Sequence, residues 1–175
     1  MPGIPNMSWH HPLFYKATCP NSIYTWLCDT GSLTRKIQQL SRVAVNVTVL
    51  EEKTEPCPLL WYHCFPQHCG PVWRREVQLY TAGEPVIRAV SVLPLAACAT
   101  WARPLRFSHN RALGHLLFAM PSVRRFGMQL GYLQNQWGRY SLFAPPKHQA
   151  ILIQETFLPA LITRITEQSA ARRMY

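Results

Sequence analysis

The chain of 175 residues is poor in acidic side chains. It has 8 Asp and Glu against 18 Lys and Arg, which gives a formal net charge of +10. Such an excess favours an acidic partner: a nucleic acid, an anionic membrane surface or a small anionic substrate. The basic residues are scattered, with no run longer than two. This scatter favours a small anion over a nucleic acid.

Long hydrophobic segments are also missing. The longest uncharged run in the middle of the chain, residues 89–102, is too short to span a bilayer and contains Pro94. The N-terminus lacks the basic-then-apolar pattern of a signal peptide. These absences predict a cytoplasmic protein, in which the six cysteines are expected to be free thiols.

Hydrophobic periodicity predicts one α+β domain with a mainly antiparallel sheet, because several long strands are joined by tight turns. The predicted helices cover residues 23–29, 33–40, 95–102, 113–119 and a terminal segment from Pro159. The predicted strands cover residues 43–49, 72–80, 86–93, 123–133, 137–143 and 150–158. Residues 51–71 are predicted to form a long loop. We expect an irregular arm at 1–20, the domain at 21–165 and a basic tail at 166–175.

The strand that begins at residue 72 carries a charge on its apolar face. Trp73, Arg75 and Val77 share one side of the strand, because alternate residues point to opposite faces. An arginine on a core-facing position is unfavourable unless an anion meets it. The turn residue Gly83 then predicts a hairpin with the following strand.

The strand near the C-terminus shows the same anomaly with the opposite sign. Glu155 shares a face with Ile151, Ile153 and Phe157. Arg75 and Glu155 could simply form a buried ion pair with each other. Alternatively, they could stand at two ends of a closed cavity that suits a flat ring with a carboxylate and a hydroxyl, since arginine binds carboxylates bidentately.

The chain resembles the chorismate lyase family in a series of short motifs between about residues 22 and 160. The motifs are Trp26-Leu27 with Gly31-Ser32-Leu33-Thr34, Trp73-Arg74-Arg75-Glu76-Val77, Gly83-Glu84-Pro85, Ser91 and Pro94, Leu113-Gly114 with Leu117-Phe118, Trp137-Gly138-Arg139, and Glu155-Thr156-Phe157-Leu158-Pro159. Their order and spacing together carry the resemblance. The loop with Cys57, Cys64 and Cys69 and the basic ending lie outside it.

The resemblance implies a single domain with a six-stranded antiparallel sheet and flanking helices around a buried ligand cavity. It implies a lyase that converts chorismate to 4-hydroxybenzoate and pyruvate for ubiquinone biosynthesis. Arg75 is then expected to hold the ring carboxylate and Glu155 to contact the ring hydroxyl. The backbones of Leu33, in a flap, and Leu113 are expected to line the pocket.

Further expectations follow from the reaction. Chorismate is a dianion, so a second cation should meet its enolpyruvyl carboxylate, and Arg139 is our candidate. Loss of the enolpyruvyl group involves no redox change, so we expect no cofactor and no metal. We expect a monomer that binds neither nucleic acid nor membrane.

Other interpretations of the same residues remain open. His63, Cys64, His68 and Cys69, with Cys57 upstream, contain zinc-ligand types but lack the spacing of a zinc knuckle. Ser108 and His109 are adjacent, which alone does not make a catalytic pair. The rival functions are a ligand sensor of the same fold, a basic nucleic-acid binder, and a chorismate-using relative that forms another hydroxybenzoate isomer.

Overall fold

One antiparallel sheet organises the part of the chain that the structure describes. The structure is a computed structural model, and it describes residues 7–65 and 70–172. The strands of the described residues are β1 (Trp9–His10), β2 (Asn46–Pro56), β3 (Pro71–Thr81), β4 (Glu84–Pro94), β5 (Arg124–Leu133), β6 (Gln136–Ala144) and β7 (Ile151–Phe157). Their order across the sheet is β1-β5-β6-β7-β4-β3-β2, and each neighbouring pair is antiparallel.

Short helices join the strands and cover the sheet. They are α1 (Asn21–Leu27), α2 (Leu33–Ser41), α3 (Leu95–Cys98), α4 (Leu113–Phe118) and α5 (Pro159–Ala171). Single 3-10 helices occupy Pro12–Tyr15, Leu59–Cys64 and Arg103–Phe107. Within the described residues, none of the helices is long and apolar enough to cross a membrane. The α+β class predicted from the periodicity is confirmed.

The central hairpin was predicted correctly from its turn. Ala82 and Gly83 both have positive φ angles, 52° and 78°. Two consecutive residues of this kind form the tight turn whose twist matches that of the flanking strands. Helix α2 also begins where predicted, because the Ser32 hydroxyl accepts from the amide of Arg35 and caps its first turn.

The count of six strands was wrong, since the sheet has seven in the described residues. The additional strand, β1, is two residues long and pairs with the edge of β5. This strand lies in a stretch rich in proline and aromatic residues. Two residues are too few to show the alternation of apolar and polar side chains by which strands are predicted. Residues 7–20 therefore contain a strand and a 3-10 helix, while α5 continues into the segment expected to be a tail.

The long loop predicted for residues 51–71 was also wrong in its first part. Strand β2 continues through Glu51 to Pro56 and pairs with β3 along its whole length. Glutamate and lysine disfavour strands in general, but charged residues are common on edge strands because they discourage pairing with other chains. The charged residues of β2 are therefore typical of an edge strand. The register of β2 and β3 places Glu52 directly opposite Arg75.

Both faces of the sheet are covered. On one face, α1, α2 and α5 pack over one end of the strands and α3 and α4 over the other, which gives two apolar clusters. On the opposite face, the 3-10 helix Leu59–Cys64 contributes Trp61 and Cys64 to a third cluster around Tyr140. Charged residues of either strand parity can therefore be buried, as Arg74, Arg75 and Glu76 are.

Candidate active site

A cavity lies on the helix-covered face of the sheet, between the two apolar clusters. The empty space that its lining residues enclose, together with the solvent at its mouth, is ≈ 580 Å³. Its wall is mainly apolar, with Val77, Leu79, Ile87, Ala89, Phe143 and Ile153 among the lining residues. The charged lining residues are Arg75, Arg125, Arg139 and Glu155.

The register of the strands arranges the floor of the cavity in two neighbouring rows. One row runs from Arg75 on β3 through Ser91 and Ile153 to Ser141 on β6. The other row runs from Val77 through Ala89 and Glu155 to Arg139. Arg75 and Glu155 thus lie in adjacent rows on different strands, and both line the same cavity.

Arg75 is fully buried, with only 1% of its surface exposed. Its Nε donates to Glu52 Oε1 at 2.8 Å, its Nη1 donates to the carbonyl of Arg111 at 3.1 Å, and its Nη2 donates to the carbonyl of His109. Burial lowers the pKa of the Arg75 guanidinium, and the charge of Glu52 partly opposes this shift. Among the described residues these bonds use three of the five N–H groups. One N–H on each terminal nitrogen is left, and such N–H groups donate strong charge-assisted hydrogen bonds to carboxylates.

Glu155 pairs with Arg139 and not with Arg75. Arg139 Nε donates to Glu155 Oε2 at 2.6 Å. The Nη1 of Arg139 also donates to the carbonyls of Leu27 and Asp29, at 3.0 and 2.7 Å. These carbonyls lie at the C-terminal end of α1, where the partial negative charge of a helix favours a cation. The simple alternative of an Arg75–Glu155 pair is therefore wrong.

Arg125 is a third arginine in the cavity, and sequence reasoning did not select it. Its Nε donates to the Ser141 hydroxyl at 2.8 Å, and its Nη1 donates to the carbonyl of Asp29 at 3.0 Å. Its guanidinium also lies 5.6 Å from the centre of the Phe143 ring. Burial, followed by the nearby charge of Arg139, lowers the pKa of Arg125 to about 10, and the charges of Glu155 and Asp29 partly oppose this shift. Within the described residues it has no carboxylate partner in an ion pair.

Two helix starts close the cavity over these charges. Leu33 is the first residue of α2 and Leu113 the first residue of α4, and both are buried and line the cavity. The first amides of a helix have no acceptor within the helix. The sequence expectation that both residues lie at the pocket is consistent with their position, and the role of their amides stays a prediction.

A separate ion network lies on the other face of the same strands. Arg74 Nη2 donates to Glu76 Oε2 at 2.5 Å, and Arg88 also donates to Glu76. Arg74 further pairs with Glu51 of β2. The two charged residues 74 and 75 therefore serve opposite faces: Arg74 joins a structural network and Arg75 enters the cavity.

Among the residues that the structure describes, the other candidate groups do not form sites. No group of three or more His, Cys, Asp or Glu residues that could hold a metal is present within residues 7–65 and 70–172. His68 and Cys69 of the zinc interpretation lie outside the described residues. Ser108 is buried, while His109 contributes its backbone carbonyl to Arg75.

Comparison with known families agrees with the geometry of the cavity. The family model described as "Chorismate lyase" matches residues 4–167. The chain belongs to the chorismate lyase family. A relative from Sodalis glossinidius named "Chorismate pyruvate-lyase" is 29% identical over 136 residues, which cover 77% of this chain and 76% of the relative. A "Probable chorismate pyruvate-lyase" from Methylobacillus flagellatus is 34% identical over 159 residues, which cover 78% of this chain and 86% of the relative.

Solved structures show that other proteins share the fold of this chorismate lyase family member. The effector domain of PhnF from Mycobacterium smegmatis superposes with a TM-score of 0.53 at 13% identity, over 75% of this chain and 91% of that domain. Gene product SA0254 from Staphylococcus aureus superposes with a TM-score of 0.51 at 9% identity, over 74% of this chain and 89% of that protein. At these identities the likeness concerns the fold alone.

Proposed function

We propose that this member of the chorismate lyase family converts chorismate to 4-hydroxybenzoate and pyruvate in the cavity between α2, α4 and the sheet. One observation carries the assignment of the site: Arg75 and Glu155 line the same cavity from different strands, and each has its own ionic partner. The proposal is supported by the charge of Arg75 at one end of a mainly apolar slot and the carboxylate of Glu155 at the other. Such a slot fits a flat ring with a carboxylate and a hydroxyl at opposite ends.

Arg75 holds the ring carboxylate in this proposal. Glu52 fixes Nε from the edge strand, and the carbonyls of His109 and Arg111 fix the terminal nitrogens. The guanidinium is therefore oriented before a substrate binds, which reduces the entropy lost on binding. The remaining N–H groups form charge-assisted hydrogen bonds with the carboxylate.

Glu155 contacts the ring hydroxyl at the other end. Its carboxylate accepts from Arg139 through Oε2, which leaves Oε1 to accept from the hydroxyl. Arg139 keeps the carboxylate in place because three further carbonyls of residues 26, 27 and 29 anchor its own terminal nitrogen. Glu155 thereby orients the ring and is positioned to relay a proton.

The reaction itself requires little beyond this arrangement. The bond between the ring and the enolpyruvyl oxygen breaks, and its electron pair leaves with the oxygen. The ring carbon that bears the hydroxyl loses its hydrogen, which makes the ring aromatic. The enolpyruvate gains a proton on its methylene carbon and becomes pyruvate. The protein contributes a bound reactive conformer, charge stabilisation at the leaving oxygen and exclusion of water.

The first residues of α2 and α4, Leu33 and Leu113, cover the cavity. Both residues lie over the floor of the cavity and are 4% exposed. We propose that their backbones line the bound substrate and that α2 acts as a flap. The proposal includes a cofactor-independent, cytoplasmic and monomeric enzyme that supplies 4-hydroxybenzoate for ubiquinone.

The direct test mixes the purified protein with chorismate and follows pyruvate with a coupled dehydrogenase, while chromatography identifies the aromatic product. The proposal predicts equimolar pyruvate and 4-hydroxybenzoate. A folded protein that binds 4-hydroxybenzoate but releases no pyruvate would instead be a ligand sensor. This alternative is worth testing because the effector domain of PhnF has a similar fold. Formation of a different hydroxybenzoate isomer would contradict the proposed product.

A further inference from the structure

The cavity is lined by the three arginines Arg75, Arg125 and Arg139 and by one carboxylate, Glu155. Glu52 pairs with Arg75 and Glu155 pairs with Arg139. Within the described part of the chain Arg125 forms no ion pair, although it is half-buried and only the more distant charges of Glu155 and Asp29 act on it. A partly desolvated guanidinium without an ion-pair partner favours binding of an anion.

The existing bonds of Arg125 fix the direction of its side chain without neutralising its charge. Its Nε donates to Ser141 and one Nη1 hydrogen donates to the carbonyl of Asp29. Both partners are uncharged acceptors. Among the described residues, three of the five N–H groups remain for a ligand, including both on Nη2.

The position of Arg125 across the floor of the cavity is the second observation. Ser141, its hydrogen-bond partner, is the far end of the row that begins at Arg75. Three strand spacings of about 4.8 Å place the Cα atoms of Arg75 and Ser141 about 14 Å apart. Arg75 and Arg125 therefore reach into the cavity from opposite sides, with Ser91 and Ile153 between them.

We propose that Arg125 binds the second carboxylate of chorismate, the one on the enolpyruvyl group, while Arg75 binds the ring carboxylate. This inference rests on the proposed function and adds a binding residue to it. Arg139, selected for this role from sequence, instead pairs with Glu155, the residue that we propose contacts the ring hydroxyl. The product 4-hydroxybenzoate has only one carboxylate, so Arg125 holds the substrate and not the aromatic product.

The proposal predicts an effect that depends on the ligand. Arg125→Gln removes the charge but can keep the bond to Ser141. We expect it to raise the KM for chorismate by about 30-fold or more, the loss usual when one partner of a buried ionic contact is removed. The Kd for 4-hydroxybenzoate, measured by calorimetry, should change less than twofold. Arg125→Lys, which retains the charge, should recover part of the affinity for chorismate.

Arg124→Gln is the matched control. It removes the same charge from the adjacent position of β5, where the side chain is exposed and bonds to the carbonyl of Pro121. It should leave both constants unchanged, which separates local binding from the general electrostatic attraction of a basic protein. Circular dichroism and thermal unfolding of each variant confirm that it is folded.

Each outcome decides between interpretations. Equal weakening of chorismate and 4-hydroxybenzoate by Arg125→Gln would overturn the proposal, because Arg125 would then act on the shared ring or on the fold. An unchanged KM would overturn it as well. If the unaltered protein releases no pyruvate, the proposed function fails, and calorimetry with chorismate and 4-hydroxybenzoate still tests whether Arg125 distinguishes a dianion from a monoanion.

Discussion

Glu52 and Arg75 face each other on neighbouring antiparallel strands, and Arg75 Nε donates to Glu52 Oε1 at 2.8 Å. The glutamate lies on the edge strand β2, with 39% of its side chain exposed, while the arginine is 1% exposed. The edge strand therefore supplies the counter-charge that holds a buried arginine towards the cavity. Glu52 is a positioning residue, since it acts on a substrate only through Arg75.

Replacement of Glu52 tests this positioning role. Glu52→Gln should raise the KM for chorismate and lower kcat/KM by about 10-fold, because Arg75 loses the ionic partner that holds it in position for the substrate. The value of kcat should change less. Glu55→Gln is the control: it lies on the same strand, but its carboxylate pairs with Lys53 and Arg74 on the other face. Steady-state pyruvate formation measures both, and equal effects would argue against a specific role of Glu52.

Replacement of Arg75 should have a much larger effect than replacement of Glu52. Arg75→Ala should lower kcat/KM at least about 100-fold, because a buried contact between a guanidinium and a carboxylate is lost. Arg75→Lys should recover only part of the activity, since an ammonium cannot bridge both carboxylate oxygens. Arg164→Ala, which removes a surface arginine paired with Glu84, should remain active. Near-normal turnover of Arg75→Ala would remove Arg75 from the site.

The pair of Arg139 and Glu155 should matter for stability as well as for activity. Glu155→Ala leaves a buried guanidinium without its counter-ion, and we expect a loss of about 3 kcal/mol in the free energy of unfolding. Glu155→Gln retains an acceptor and should lose less stability while still impairing turnover. Urea denaturation provides the measurement. The exposed Glu84→Ala should cost less than about 1 kcal/mol, and a similar value for Glu155→Ala would contradict the pairing.

The buried cysteines predict how stability depends on alkaline pH. Burial raises the thiol pKa of Cys19 to about 12 and of Cys64 and Cys98 to about 11, from an ordinary value of 9.0. Between pH 9 and 11 the unfolded thiols release protons that the folded ones retain. The folded state therefore binds more protons, so stability is full below pH 9 and falls as the pH rises through this window.

A thiol-reactive dye gives an independent check on the same cysteines. At pH 8, Cys19, Cys64 and Cys98 should react slowly in the folded protein, because they are buried and mostly protonated. Half-buried Cys28 should react faster, and urea should expose them all. Rapid modification of the three buried thiols without unfolding would contradict the packing described for them.

The sequence predicted the parts of the site that depend on local alternation. The parity of β3 and β7 placed Arg75 and Glu155 on the core face, and the cap at Ser32 fixed the start of α2 at Leu33. The partner of Arg75 was missed because it depends on the register of β2, whose glutamates had been interpreted as a loop. A test for alternating charge on an edge strand would have extended β2 and placed Glu52 opposite Arg75.

Arg125 could not be identified from its own strand. The β5 segment is interrupted by a bulge between Phe126 and Gln129, with Gly127 at a φ angle of 57°. Such a bulge changes which side chains face the core, so simple alternation does not apply. The importance of Arg125 follows only from the ion pairs of its neighbours, which a linear sequence does not display.

The most direct measurement is a crystal structure of the protein with bound 4-hydroxybenzoate. We expect the product to lie in the cavity, with its carboxylate about 3 Å from the terminal nitrogens of Arg75 and its hydroxyl hydrogen-bonded to Glu155. Binding outside this cavity, or with the hydroxyl towards Arg75 and the carboxylate towards Glu155, would contradict this expectation.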